Sequence, residues 1–441
     1  MKLLSKKSIF MGIAALLLVL LAACGSSEDS SKGDGGSKDK SDEPTTLTFL
    51  IDNQTVTDGL EAVSADVEEK FNIKTEFELR PGGSDGDNIV KTRLATDEMT
   101  DLMWYNSGSL FKALNPEEHF LDLSGEAFMD RVTDDFKAAV SVDDGVYGVP
   151  GESTFAGGWM YNTKVYEELG LEVPSTWDEL LANNDKIKEA GKIPVIASYK
   201  DTWTSQVVLL GDYYNVHSND PDFAEKFTHN EAKFASTPIA LEGFEKLQEL
   251  HERGHYNDEA TSTSYEDAVE MLATGEAAHY PMLTTTLPAF NDRFPDQVND
   301  IGFFGQPSDD PDNHGMTIWL PAAIAVNKNS ENVEAAKQWV EYFVSEEGQE
   351  TYMSVMKANG PFALKDVELP DDSYTAVKDM MKYQEEGKTA PALEFLSPLK
   401  GPNLEQITVE VGLGMVPPEE GADKYDRDVE RQAKQLQIEG W

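Results

Sequence analysis

The sequence predicts an α/β fold in two domains, on three observations. Apolar runs alternate with helix-periodic segments from Leu47 to Tyr105, the pattern of a parallel sheet with crossover helices. The stretch able to fold, Leu47 to Trp441, is about 395 residues, longer than a single core supports. No repeat of roughly 20 to 50 residues recurs, which sets solenoids and propellers aside.

Taken in order, the chain opens with Lys2, Lys6 and Lys7, an apolar stretch from Ile9 to Leu21, and then Ala22-Ala23-Cys24. A charged start, an apolar middle and small residues before a cut form a secretory signal over residues 1–23. Cys24 is the single cysteine, so no disulfide can form within the chain. Its place just after the cleavage point resembles a bacterial lipoprotein signal, which implies that a lipid is joined to its sulfur. Residues 24–46 hold no large apolar side chain and read as a flexible tether. The apolar stretch before them is shorter than the roughly 20 residues a membrane span needs. The expected product is a soluble protein held by lipid on the outer face of a bacterial cell membrane.

Leu47 to Ile51 reads as the first buried strand, ending in the polar loop Asp52-Asn53-Gln54-Thr55. Leu60, Val63, Val67 and Phe71 then fall at helical spacing. Thr75 to Leu79 is a second strand, Arg80 to Gly86 a loop, Asn88 to Ala95 a second helix and Asp101 to Tyr105 a third strand. Ligands of such sheets bind at the carboxyl ends of the strands, which places the loops at Asn53, Arg80 and Asn106 on one edge. Further on, Thr176 with Glu179 forms a capping box. Ser330 opens a helix with Val333, Ala336, Val340 and Phe343 on one face.

Charge narrows the partners. The chain carries 81 acidic and 36 basic residues, a net −45. Such a surface excludes nucleic acid and disfavours sustained contact with anionic lipid headgroups. The acids are spread along the chain, which fits solubility better than one cation-binding patch.

Three motifs look chemical. His251-Glu252-Arg253-Gly254-His255 matches a zinc-protease pattern, which needs both histidines on one helical face. Gly254 ends that helix as a cap, so His255 leaves the face. Gly82-Gly83-Ser84-Asp85-Gly86 matches a nucleophile elbow, but its loop is too long and polar for a tight turn. The Asp310-to-Gly315 loop has a histidine at its fifth position and Pro321 at its twelfth, so it does not build a calcium site. No catalytic residue, metal site or cofactor is expected, and the chain reads as a non-enzyme.

What remains is a set of aromatics in polar settings: Tyr105, Trp159, Trp203 and Trp319. A sugar stacks its C–H face on a flat ring while polar side chains hold its hydroxyl rim. Trp203 stands out because Thr202, Thr204, Ser205 and Gln206 around it are all polar.

Several landmarks then come in family order: Phe71-Asn72-Ile73-Lys74, Thr100-Asp101-Leu102-Met103-Trp104, Tyr147-Gly148-Val149-Pro150, Tyr161-Asn162-Thr163-Lys164, Pro174-Ser175-Thr176-Trp177, Ala273-Thr274-Gly275-Glu276 and Ile324-Ala325-Val326-Asn327. With these the chain resembles the extracellular solute-binding proteins of carbohydrate ABC transporters, the group that includes maltodextrin-binding proteins. The resemblance implies two α/β lobes, the type II periplasmic-binding-protein-like fold, joined by crossings near Phe155, Trp319 and Leu364. It implies a first lobe of residues 47–155 and 320–364 and a second of 156–319 and 365–441. A carbohydrate, taken as an oligosaccharide, would lie between them, and hinge closure would present it to permease subunits served by a cytoplasmic ATPase. The binding protein itself is expected to be a monomer. Carried over by position, the ligand would meet Asn53, Gln54, Arg80, Tyr105, Asn106 and Ser107 from the first lobe. The second lobe and the crossings would add Trp159, Trp203, Met282, Thr285, Trp319 and Phe395. Family members often carry a tryptophan near residue 285, where this chain has threonines, and Phe395 is the substitute platform. The alternatives are a cationic ligand, polyamine or peptide, and a secreted hydrolase using Ser84 or His251 and His255.

Overall fold

The computed structural model describes residues 43–441, so the signal, Cys24 and the tether up to residue 42 lie outside the described residues. No described helix is long and apolar enough to cross a membrane.

Two sheets organise the fold. In the first, the order is Ile73–Arg80, Thr45–Asp52, Leu102–Tyr105, Ala323–Val326 and Val149–Pro150. The first three strands run parallel, and Ala323–Val326 runs against both of its neighbours. The N-terminal strand begins at Thr45, two residues ahead of the expected Leu47, because Thr45 and Thr46 pair with Ile73 and Lys74. β-Branched side chains tolerate that exposed strand end.

The first helix spans Asp58–Phe71 and buries Leu60, Val63 and Val67, as its spacing predicts. The second departs from expectation. It spans Gly83–Thr96, so half of the expected loop is helix. Glycines permit this start. Gly83 takes φ +65°, and a Cβ on Gly86 would stand 1.9 Å from the Pro81 carbonyl oxygen. The helix therefore packs down onto its own entry, which only glycine allows. Farther on, Thr176 and Glu179 exchange the two bonds of a capping box. The helix expected from Ser330 runs Val333–Phe343, because Ser330 instead donates to the Asp101 carboxylate at 2.5 Å and accepts from Asn332 N–H.

The second sheet has the order Thr389–Pro391, Met316–Trp319, Phe155–Asn162, Ala277–Leu283 and Ile193–Val195, with Ile301–Phe304 also paired to Phe155–Asn162. One core draws on residues between Leu47 and Val149 and between Ala322 and Leu364. Separate cores lie under the second sheet and among the helices around Phe244 and Tyr425.

The chain leaves the first sheet at Pro150 and joins the second at Phe155; it returns between Trp319 and Ala323. The two crossings are paired at both ends, Val149 with Ile324 and Phe155 with Trp319. A third passage follows Leu364, and Phe362 bridges to Ser153 beside the first crossing.

The helix Glu346–Val355 packs on the first helix at Gly59, where a Cβ would stand 2.5 Å from the Tyr352 ring and 2.6 Å from Met356. Gly59→Ala is therefore expected to destabilise the protein by about 1–3 kcal/mol through overpacking, read from denaturant midpoints at constant slope.

Candidate functional site

Between the sheets lies a chamber of about 400 Å³, within the usual range for small-molecule sites. The carboxyl ends of the parallel strands and the residues that follow them supply one wall: Asp52 and Gln54, Arg80 with Gly82, Gly83 and Ser84, and Asn106 with Ser107. The opposite wall holds Trp203, Tyr265, Thr285, Phe395 and Glu405. Glu152, Phe155, Trp319 and Leu320 on the crossings, with Tyr352 and Met356, close the floor.

Each polar group has an identifiable holder. Arg80 is buried, its Nη1 donates to the Pro81 carbonyl at 3.0 Å, and it lies 3.5 Å from the Asp52 carboxylate. Its guanidinium sits over the Tyr105 ring, 5.4 Å from the centroid. Burial raises the Asp52 carboxyl pKa, with the Gln54 N–H and then Arg80 opposing it. Trp319 Nε1 donates to Glu394 at 2.7 Å, and Lys400 Nζ reaches the other oxygen of that carboxylate at 3.1 Å. Ser107 Oγ donates to the Pro321 carbonyl at 2.7 Å, fixing the Asn106 loop against the return crossing.

The walls also touch each other. Trp203 Nε1 donates to Gln54 Oε1 at 3.0 Å, and Gln54 Nε2 donates to Asp201 at 3.3 Å. Ser84 Oγ donates to Glu405 at 2.5 Å. Gly108, at φ +77°, lies so close that a Cβ would stand 2.8 Å from the Glu394 carbonyl oxygen and 2.9 Å from the Phe395 ring. These contacts describe a closed arrangement of the lobes.

Of the sequence-predicted residues, Gln54, Arg80, Asn106, Ser107, Trp203, Thr285, Trp319 and Phe395 come together around the chamber. Four do not. Asn53 is exposed outside the lining. Tyr105 is buried beneath Arg80 and does not line the chamber. Trp159 is fully buried, stacks on Phe304 at 6.2 Å and donates to Gln306 at 2.6 Å. Met282 is a core residue of the second sheet. Both strands are covered on both faces, so Trp159 and Met282 lie in cores whichever face they take.

Sequence reasoning missed Phe155 and Tyr265 as aromatic walls, and Glu152, Glu394 and Glu405 as chamber carboxylates. Tyr265 packs tilted on Trp203, 5.8 Å between centroids, a contact across 62 residues of sequence that leaves no local signal. Ser84 faces a glutamate and has no histidine partner among the described residues. His251 is exposed, whereas His255 is buried against Asp185 at 2.9 Å, on the far side of the cap formed by Gly254.

Comparison with known proteins now places this architecture. A family model described as bacterial extracellular solute-binding protein matches residues 53–350, and the chain belongs to that family. It is 25% identical over 372 residues to a multiple sugar-binding protein of Streptococcus mutans, covering 82% of this chain and 83% of that one. Among solved structures, a chitin oligosaccharide binding protein superposes with TM-score 0.75 at 22% identity, covering 88% of this chain and 98% of its own. The solute-binding protein RafE in complex with raffinose gives 0.73 at 20% identity, covering 88% and 99%. These likenesses establish the two-lobed α/β fold.

The glycine at 108 generates a test of closure. Gly108→Val is expected to hold the walls apart and to cost about 1 kcal/mol or more from its left-handed backbone. Small-angle scattering should show a larger radius of gyration than for the unaltered protein; an unchanged radius would oppose this account.

Proposed function

We propose that this member of the bacterial extracellular solute-binding family is the carbohydrate-capturing subunit of an ABC importer, with an oligosaccharide as its ligand. The observation that carries the reading is the chamber itself. Aromatic faces from Phe155, Trp203, Tyr265, Trp319 and Phe395 surround hydrogen-bonding groups from Gln54, Asn106, Thr285 and Glu152. Flat apolar faces beside polar groups suit a ring with C–H faces and a hydroxyl rim. The names of the sugar-binding relatives above point the same way.

The mechanism is capture followed by closure. An open cleft exposes both walls to solvent, and a bound sugar bridges them, favouring the closed form by its differential contacts. Gln54 with Trp203 and Ser84 with Glu405 add direct contacts to that state. The closed surface is what permease subunits would engage. No catalytic step is assigned to any residue. We assign the lobes as residues 47–155 with 320–364 and 156–319 with 365–441, supported by the separation of the cores. A lipid on Cys24 would hold the subunit, as a monomer, at the outer face of the membrane, and its support is the residue pattern around that cysteine.

A thermal-shift panel of raffinose, chitobiose, maltotriose, glucose, putrescine and spermidine tests the ligand class. A sugar at about 100 times its Kd should add about 2.7 kcal/mol and raise Tm by several degrees. A response to the amines alone would favour a cationic ligand, a reading that draws on carboxylates lacking a cationic partner, such as Glu152. Trp203→Ala should abolish sugar binding and leave the far-ultraviolet circular dichroism unchanged; retained affinity would displace the site from Trp203.

A further inference from the structure

The helix Gly83–Thr96 starts bare. The first N–H groups of a helix have no partner inside it and carry a partial positive charge. Gly82 holds the cap position and has no side chain to accept from them. Gly83 follows at φ +65° and adds no Cβ to screen the helix end. The Asp52 carboxylate, on the same wall, lies near Gly82, but it accepts from the Gln54 N–H at 2.8 Å and pairs with Arg80. The other group that stands at this helix start comes from across the chamber. It is the Glu405 carboxylate, carried by the helix Leu404–Gly412. Ser84 Oγ donates to its Oε1 at 2.5 Å. The place a Cβ on Gly83 would take lies 3.2 Å from Glu405 Oε2 and 3.8 Å from Oε1.

Glu405 is only 6% exposed, yet no cation pairs with it among the described residues. The inner cations of the chamber are committed elsewhere, Arg80 to Asp52 and Lys400 to Glu394, and Lys91 lies on the exposed rim. A carboxylate so buried is costly unless donors and dipoles face it. Here those are the Ser84 hydroxyl and the positive end of the helix, both on the opposite wall. The backbone of Glu405 is held within its own wall, because Ser205 Oγ donates to the Glu405 carbonyl at 3.0 Å. The carboxylate therefore reaches the helix only when the walls meet.

We propose that Glu405 is a latch, which caps the helix Gly83–Thr96 across the cleft and draws the walls together in the protein without ligand. This rests on the hinge closure in the reading above and not on the identity of the sugar. In the open form water solvates the helix start, Ser84 and Glu405 separately. In the closed form each supplies what the other lacks. The latch acts on the empty and the loaded protein alike. Ligand enters and leaves through the open form, so the latch slows both steps. It sets how long a captured ligand is held more than how tightly it binds at equilibrium, because the empty closed form is stabilised too.

Two variants test this from opposite walls. Ser84→Ala removes the hydroxyl, and Glu405→Gln removes the charge while keeping an acceptor. Small-angle scattering without sugar should give both a radius of gyration above that of the unaltered protein and at or below that of Gly108→Val. Stopped-flow tryptophan fluorescence should show the strongest binder among raffinose, chitobiose, maltotriose and glucose leaving each variant about 10-fold faster, with no fall in its association rate. The double variant should release it no faster than either single one, because a shared contact is lost once. An unchanged radius in both variants overturns the latch, and a weaker affinity at unchanged radius would make Glu405 a ligand contact instead. Release rates that multiply in the double variant also overturn it. The scattering needs no sugar, so a flat sugar panel overturns the carbohydrate reading and leaves the test of the latch intact.

Discussion

Everything at the site depends on how the chain passes between its two sheets. The outward crossing from Pro150 to Phe155 and the return from Trp319 to Ala323 are bonded to each other at both ends. Thr154 N–H also donates to the Pro361 carbonyl at 2.7 Å, tying in the segment that leads to the third passage. Paired strands resist shear more than bending, so the hinge closure proposed above would proceed without slippage in register. The floor of the chamber is made of these same residues. Phe155, Trp319 and Leu320 therefore belong to the junction of the two lobes, and in the proposed closure the walls would move about them.

That arrangement explains how unevenly the site was legible. The three parallel strands and their loops are written locally, in apolar runs and helical spacing, and they place Gln54, Arg80, Asn106 and Ser107 on one edge. Trp203 was legible because its neighbours are polar. Trp159 misled for the converse reason: its sequence setting looks like a loop, yet it lies in a strand covered on both faces, as does Met282, which the family resemblance had placed at the ligand. Tyr105 closes a strand buried along its full length. Glu152 gave no local signal. Its hydrogen-bond donors, Thr285 and Asn359, lie 133 and 207 residues away along the chain.

The acidity takes a more specific form in the structure than in composition. With 81 acids and 36 bases, a cation finds a carboxylate almost wherever it stands. Inside the chamber this leaves Arg80 and Lys400 neutralised by Asp52 and Glu394. Most other pairs are exposed and individually weak, such as Lys70 with Glu347 and Lys164 with Glu167. The surplus keeps the surface solvated and repels like-charged molecules, and added salt screens it within about 10 Å at 0.1 M.

The strand from Thr45 to Asp52 joins the fold at one end and the chamber wall at the other. It is bonded in parallel to Ile73–Arg80 over all eight residues and to Leu102–Tyr105 on its other side. A tension applied at Thr45 along the strand would load these bonds sideways and together, not one after another. The chain thus meets its upstream sequence at a mechanically strong point, roughly 25 Å of strand away from the ligand edge. In the lipid-anchored form proposed above, drag from flowing medium would be taken up by the backbone of the first lobe. The swing of the second lobe would stay free of that load.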